Sequence, residues 1–401
     1  MQTDCRYFLG DRPCPRNTNC DRSCGSYSQV VQNVLLVHLG ALGAVVRSTS
    51  LLSTLRQKHP KARLFWLTEA PADRLLAGHP LLDGVFTTAD LFELKAYNFE
   101  IAYCIDKSRR AAGLLRELTV ESVKGFIVDP QTGSVLPATS AAQELWNLGL
   151  SNHHKFFVNS KPETQLILEA LELGPWQRQR YDLPLLPAEL AESQERRRIW
   201  SKSDKQVVIG LNTGCANTIA AKKWTVEFHR QVIQALSFLG LQNFVLLGGP
   251  EDTNRNQKIA RGLPVAESPT RAGLRDGLIS VEACDLVITG DSLGMHLAIA
   301  RSKFTVAWFG PTCVQEIDLY DHGVKLIADV ACSPCWKRSC DQSEMCYDRV
   351  SLEKILQAVE QGVRVCQANV RSSSSRLPFL ETSSSVSQHS NLCNLDIPTQ
   401  N

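Results

Sequence analysis

The chain has 401 residues, 43% of them hydrophobic and 21% charged, with a net charge of +2. This is the profile of a globular protein of about two or three domains, and a charge so balanced argues against a nucleic-acid surface. No apolar run reaches the ~18 residues of a membrane span, and the start MQTDCRYFLGDRPC lacks the apolar stretch of a signal peptide, so a cytoplasmic protein is expected. Without an export signal, its 14 cysteines point to metal or free thiols rather than disulfides.

Residues 1–28 form a Cys-rich segment with little to bury. Its Cys5, Cys14, Cys20 and Cys24, spaced C-x8-C-x5-C-x3-C, match no standard metal signature. A second metal site is still expected there, against free thiols, because so core-poor a segment needs something to fold around. Residues 29–185 alternate short apolar runs with helix-compatible sequence: VLLVHL, RLFWLT, GVFTT, IAYCID and GFIVD read as strands. Such alternation predicts a parallel sheet with crossover helices. The stretch 186–206 reads as a linker with a charged helix. A second alternation fills 207–366, through VVIGLN, NFVLLGG, DLVITGD, FTVAWFG and VKLIAD. The serine-rich tail 367–401 is expected to be disordered. The fold class is therefore α/β, two βα domains joined by a linker, with the cleft between them as the expected site.

Chemistry-bearing residues cluster at the strand ends. LGALGAVVRSTS (39–50) follows the first strand, and its Gly40, Gly43 and Arg47 make a loop whose amides suit an anion. In GLNTGCANTIAAKKW, Thr213 and Gly214 end a strand, and Lys222 or Lys223 could neutralise a diphosphate; a solvated loop is the competing reading. In LLGGPED, Glu251 and Asp252 could accept from a ribose diol, or simply cap a helix. In DLVITGDSLGMHLAIA, Asp291, Ser292, Gly294, Met295 and His296 stand at a helix start where amides and macrodipole favour phosphate. There Asp291 as an N-cap and His296 as a core residue are the alternatives. Cys332, Cys335, Cys340 and Cys346, spaced C-x2-C-x4-C-x5-C, suit a tetrahedral zinc or iron site, and four thiolates leave no open catalytic position.

GALGxVVRST, NTG…KKW, LLGGPED, GDSLGMHLAIA and VAWFGPT, in that order, resemble glycosyltransferase family 9, the ADP-heptose:lipopolysaccharide heptosyltransferases, from about residue 33 to 360. The resemblance implies the GT-B fold, with two facing Rossmann-like domains: an acceptor domain, then one that binds the nucleotide-sugar donor. It implies inverting transfer of heptose from ADP-heptose, without a metal for the chemistry, to a lipopolysaccharide core, a protein or another glycan. By position, Lys222 falls on the family's donor-phosphate lysine, Asp291 and His296 on phosphate and sugar contacts, and Glu251 or Asp252 near the ribose carboxylate.

Inverting transfer needs a base for the acceptor hydroxyl. Where the family places its proposed aspartate this chain has Ala44, so either the protein is inactive or another carboxylate serves. Asp106, in AYCIDKSRRA, ends a strand of the acceptor half; basic neighbours would keep it ionised, and helix capping is its bland reading. A protein-modifying branch, the autotransporter heptosyltransferases, is similar in placing its base in such a region and in holding iron by cysteines in a finger-like insertion. Structural iron or zinc is therefore expected at the cysteines. Basic side chains at 107–116 suggest peripheral membrane contact, though no amphipathic basic helix supports it. The alternatives are an inactive nucleotide-sugar-binding protein and a GT-B enzyme using another nucleotide sugar, such as a UDP-sugar.

Overall fold

A computed structural model describes residues 1–17, 19–201, 203 and 206–374. Two six-stranded sheets organise the chain. The first holds β1 (Gln32–Val37), β2 (Ala62–Thr68), β3 (Gly84–Thr87), β4 (Asn98–Cys104), β5 (Thr119–Val128) and β6 (Val135–Pro137), in the order β3-β2-β1-β4-β5-β6. The second holds β7 (Ile209–Asn212), β8 (Phe244–Leu247), β9 (Val265–Glu267), β10 (Leu286–Gly290), β11 (Phe304–Phe309) and β12 (Gly323–Ile327), in the order β12-β11-β10-β7-β8-β9. The two orders are equivalent, and each reverses direction beside its first strand, so β1/β4 and β7/β10 are the switch points where loops diverge and leave a crevice.

The apolar runs become the central strands because both faces are covered. Val34, Leu35, Leu36 and Val37 of β1 are all fully buried. Pairing is parallel throughout except that β6 runs antiparallel to β5. β6 and β9, of three residues each, are too short to show a period in the sequence. β6 ends in Pro137, which an edge strand tolerates.

The stretch 186–206 contains the helix Pro187–Trp200. The tail differs from expectation. Helix Leu352–Ser374 carries Ile355, Ala358, Val359 and Cys366 onto the second sheet, so order continues past residue 367; residues 375–401 lie outside the described residues. The first 28 residues form no helix or strand among those described; a single bridge joins Cys5 to Gln29. They dock on the first sheet instead: Arg63 Nη2 donates to the Cys5 and Phe8 carbonyls at 3.0 and 3.1 Å, and Arg6 pairs with Asp83 at 3.3 Å.

The domains meet along an apolar seam. Val46 and Leu75 of the first pack with Met295, Leu297 and Ala298 of the second. Polar clamps flank it: Arg178 holds Asp318 at 2.8 Å, and Arg275 pairs with Glu189 and donates to the Leu75 carbonyl. Among the described residues no helix is long and apolar enough to cross a membrane.

Candidate active site between the two sheets

On the second domain, β7 ends in Asn212, whose Nδ2 donates to the Gly214 carbonyl, Thr289 Oγ1 and Ser292 Oγ at 3.0, 3.1 and 2.9 Å. This side chain ties the β7 and β10 loops together. A β-carbon on Gly294 would stand 2.5 Å from Asn212 Cγ, so only glycine lets helix Leu293–Ala300 start this close. Its first amides therefore face the crevice with their partial positive charge.

Lys222, closing the turn Asn217–Lys222, reaches Asp291 Oδ2 at 3.7 Å, and His296 Nε2 lies 4.0 Å from Asp291 Oδ1. Burial works against ionising Asp291, but Lys222 chiefly, with a Thr312 hydrogen bond and Arg47, holds its carboxyl below the usual range. Several expected donor contacts face inward. Thr213 is fully buried, its one hydroxyl proton shared between the Leu247 carbonyl and Asn256 Oδ1; Ser292 Oγ accepts from Asn212; Met295 lies in the apolar seam. Asp252 is buried against Gly214, where it accepts from the Gly249 amide at 3.0 Å and burial raises its carboxyl. Glu251, its neighbour, is exposed.

On the first domain, the β1 and β4 ends converge. Asp106 Oδ2 accepts from the Leu39 amide at 3.0 Å, on the flank of Gly40. His38 also lies there, its Nε2 2.9 Å from where a Gly40 β-carbon would be. Its Nδ1 is 2.8 Å from Ser48 Oγ, which donates to the Ala44 carbonyl. Burial pushes His38 down to about 4, so it is neutral at pH 7. Gly43 opens helix Leu42–Ser48 across the seam: a β-carbon there would stand 2.5 Å from His296 Cδ2. His296, stacked on Tyr181 with centroids 6.0 Å apart, is pushed down to about 3 by burial and Arg47.

Arg47 is buried and reaches Glu163 Oε1 at 2.7 Å. Burial opposes its charge, but Glu163 first, then Tyr181, Glu316 and Asp291, raise its pKa. The cluster leaves polar atoms unpaired: Arg47 Nε, Tyr181 Oη and His296 Nδ1 are buried without hydrogen-bond partners. Buried orphans are costly, and several from both domains at one seam mark a place for a polar ligand. Lys155 closes the far side. It pairs with Glu316 at 3.5 Å and lies 3.8 Å over the Trp336 ring, while Gln315 Nε2 donates to its carbonyl at 3.0 Å.

His38, Asn212, Glu163, Tyr181, Glu316 and Lys155 were not singled out from sequence. His38 alone carried a signal, a polar residue closing the apolar run VLLVHL.

Cys332, Cys335, Cys340 and Cys346 line one small cavity beside Gly310 and Pro311, and Cys5, Cys14, Cys20 and Cys24 line another. All eight are free thiols. Among the described residues, however, no three His, Cys, Asp or Glu side chains form a group that could hold a metal ion. The donor chemistry suits iron or zinc, but the arrangement does not gather the ligands.

The sequence model of "Glycosyltransferase family 9 (heptosyltransferase)" matches residues 93–346, more than half of the chain. Lipooligosaccharide heptosyltransferase 2 of Campylobacter jejuni is 29% identical over 159 residues, 37% of this chain and 49% of its own length. The chain thus spans about half the length of the curated relatives it matches. Among solved structures, a family 9 glycosyl transferase of Veillonella parvula has a TM-score of 0.69 at 18% identity, covering 84% of this chain and 99% of that one. ADP-heptose lps heptosyltransferase II of E. coli gives 0.62 at 17%, covering 83% and 99%. The iron-containing dodecameric glycosyltransferase TibC of enterotoxigenic E. coli gives 0.52 at 12%, covering 84% and 77%. These likenesses carry the two-sheet fold, and the family match over 93–346 carries the membership: the chain belongs to glycosyltransferase family 9.

Proposed function

We propose that the protein is an inverting heptosyltransferase that takes ADP-heptose as donor and a lipopolysaccharide core, protein or other glycan as acceptor. The carrying observation is the set of buried, unpaired polar atoms that both domains turn into one seam. The donor diphosphate sits against Lys222 and the first amides of helix Leu293–Ala300, with Glu251 as the exposed carboxylate for the ribose diol. Asp291 holds Lys222 in place. Asp106 serves as base: it takes the acceptor's proton as the acceptor oxygen attacks the anomeric carbon and the nucleoside diphosphate leaves with the bonding electrons.

A second reading is a nucleotide-sugar-binding protein without turnover, favoured by Ala44 on the opening loop. The cysteines at 332–346 and at 5–24 offer sulfur donors of the kind iron or zinc takes, but their arrangement does not gather them, and no step of the transfer is routed through a metal.

The test is ADP release from ADP-heptose by purified protein with a cell-envelope extract as acceptor. Acceptor-dependent release is expected, lowered at least about a hundredfold by Asp106→Asn. Tight ADP binding without release by the wild type would favour the binding protein.

A further inference from the structure

We propose that His38 is a proton-relay residue of the transfer, receiving at Nε2 the proton that leaves the acceptor hydroxyl through Asp106. This rests on the transferase reading above. One tautomer satisfies both contacts of Ser48, and we assign it. Ser48 donates its one hydroxyl proton to the Ala44 carbonyl at 3.0 Å. In that arrangement its oxygen accepts from His38 Nδ1–H, 2.8 Å away. The imidazole then carries its proton on Nδ1 and a free lone pair on Nε2. Residue 44 contributes through its backbone: the Ala44 carbonyl aims Ser48, and Ser48 aims His38.

The lone pair has a place to act. Nε2 lies 2.9 Å, and Asp106 Oδ2 4.0 Å, from one and the same point, the β-carbon position at Gly40. Both atoms therefore flank Gly40 no more than about 7 Å apart, a separation that a short chain of waters spans. Asp106, Arg47 and Glu163 are the charged groups around the ring, and burial with Arg47 keeps it unprotonated while Asp106 and Glu163 favour its charged form. The base is empty at rest, and the Asp106 carboxylate beside it offsets part of the cost of its charged form.

In the step, the acceptor oxygen bonds to the anomeric carbon and its proton passes to the Asp106 carboxylate. The anomeric C–O bond breaks and its electron pair leaves with the diphosphate. The proton then moves from Asp106 to His38 Nε2, and the imidazolium returns it to solvent.

The experiment compares wild type, His38→Ala, His38→Gln and Ser48→Ala in ADP release from ADP-heptose with envelope extract, with and without added imidazole, and records Tm. The relay predicts a kcat loss of about tenfold or more in both His38 variants, with donor KM within about twofold. It also predicts that imidazole restores His38→Ala but not His38→Gln, and that Ser48→Ala loses kcat in the same direction. His38 variants within about twofold of wild type, or a loss that imidazole leaves untouched while Tm falls, would overturn the relay and leave the transferase reading standing. No acceptor-dependent release by the wild type would overturn both.

Discussion

Single atoms decide much at this site. Gly43 belongs by sequence to an anion-binding loop, yet its clearest structural role is contact: it brings the first domain against the His296 ring. Gly43→Ala forces a methyl to 2.5 Å from Cδ2, and the ring cannot retreat easily because Tyr181 stacks on it. The substitution should destabilise by about 1–3 kcal/mol, read as a lower denaturant midpoint, and lower turnover more than ADP affinity. Neighbouring acids likewise split by burial. Glu251 and Asp252 looked equivalent in sequence, but Asp252 is the inward side chain that supports the Gly249 turn, and Glu251 faces solvent.

At the scale of elements, strand ends do the positioning. The turn Asn217–Lys222 and the start of helix Leu293–Ala300 come from separate strands, and only Asn212 and the Lys222–Asp291 pair bring them together. Lys222→Met should weaken ADP binding about 10- to 100-fold by titration calorimetry and also lower Tm, because it leaves the largely buried Asp291 without the charge that offsets its burial. Strands and strand ends were readable because buried parallel strands form continuous apolar runs. β6 and β9 were not, being too short, and the helix runs past residue 367 into a polar, serine-rich stretch with no apolar run of its own.

Across the whole molecule, buried titratable groups make stability depend on pH. His38, His229 and His296 are buried and neutral, burial pushing them to about 4, 3 and 3. In the unfolded chain each returns to about 6.5, so below that value unfolding takes up protons that the fold refuses. Stability from these groups is present above pH 6.5 and is lost as pH falls toward their folded values. Glu316 runs the other way: burial and Glu163 raise it to about 7, so its contribution is present at low pH and lost as pH rises through 7. Three histidines against one glutamate predict a Tm that falls as pH is lowered from 6.5 toward 4. His229→Gln, far from Glu316, should flatten that fall; an unchanged slope would remove His229 from the account.

The sequence by itself determined the two α/β halves, the strand-end loops and the family resemblance, because apolar periodicity and local glycine punctuation are short-range properties written in consecutive residues. Only the tertiary structure decided which of those polar residues share a site. Thr213 and Met295 turn inward while Arg47, Glu163, Tyr181, His296 and Glu316, far apart along the chain, meet at one seam. Their direction and protonation follow from burial between two domains, a property of the packed molecule that no stretch of neighbouring residues contains.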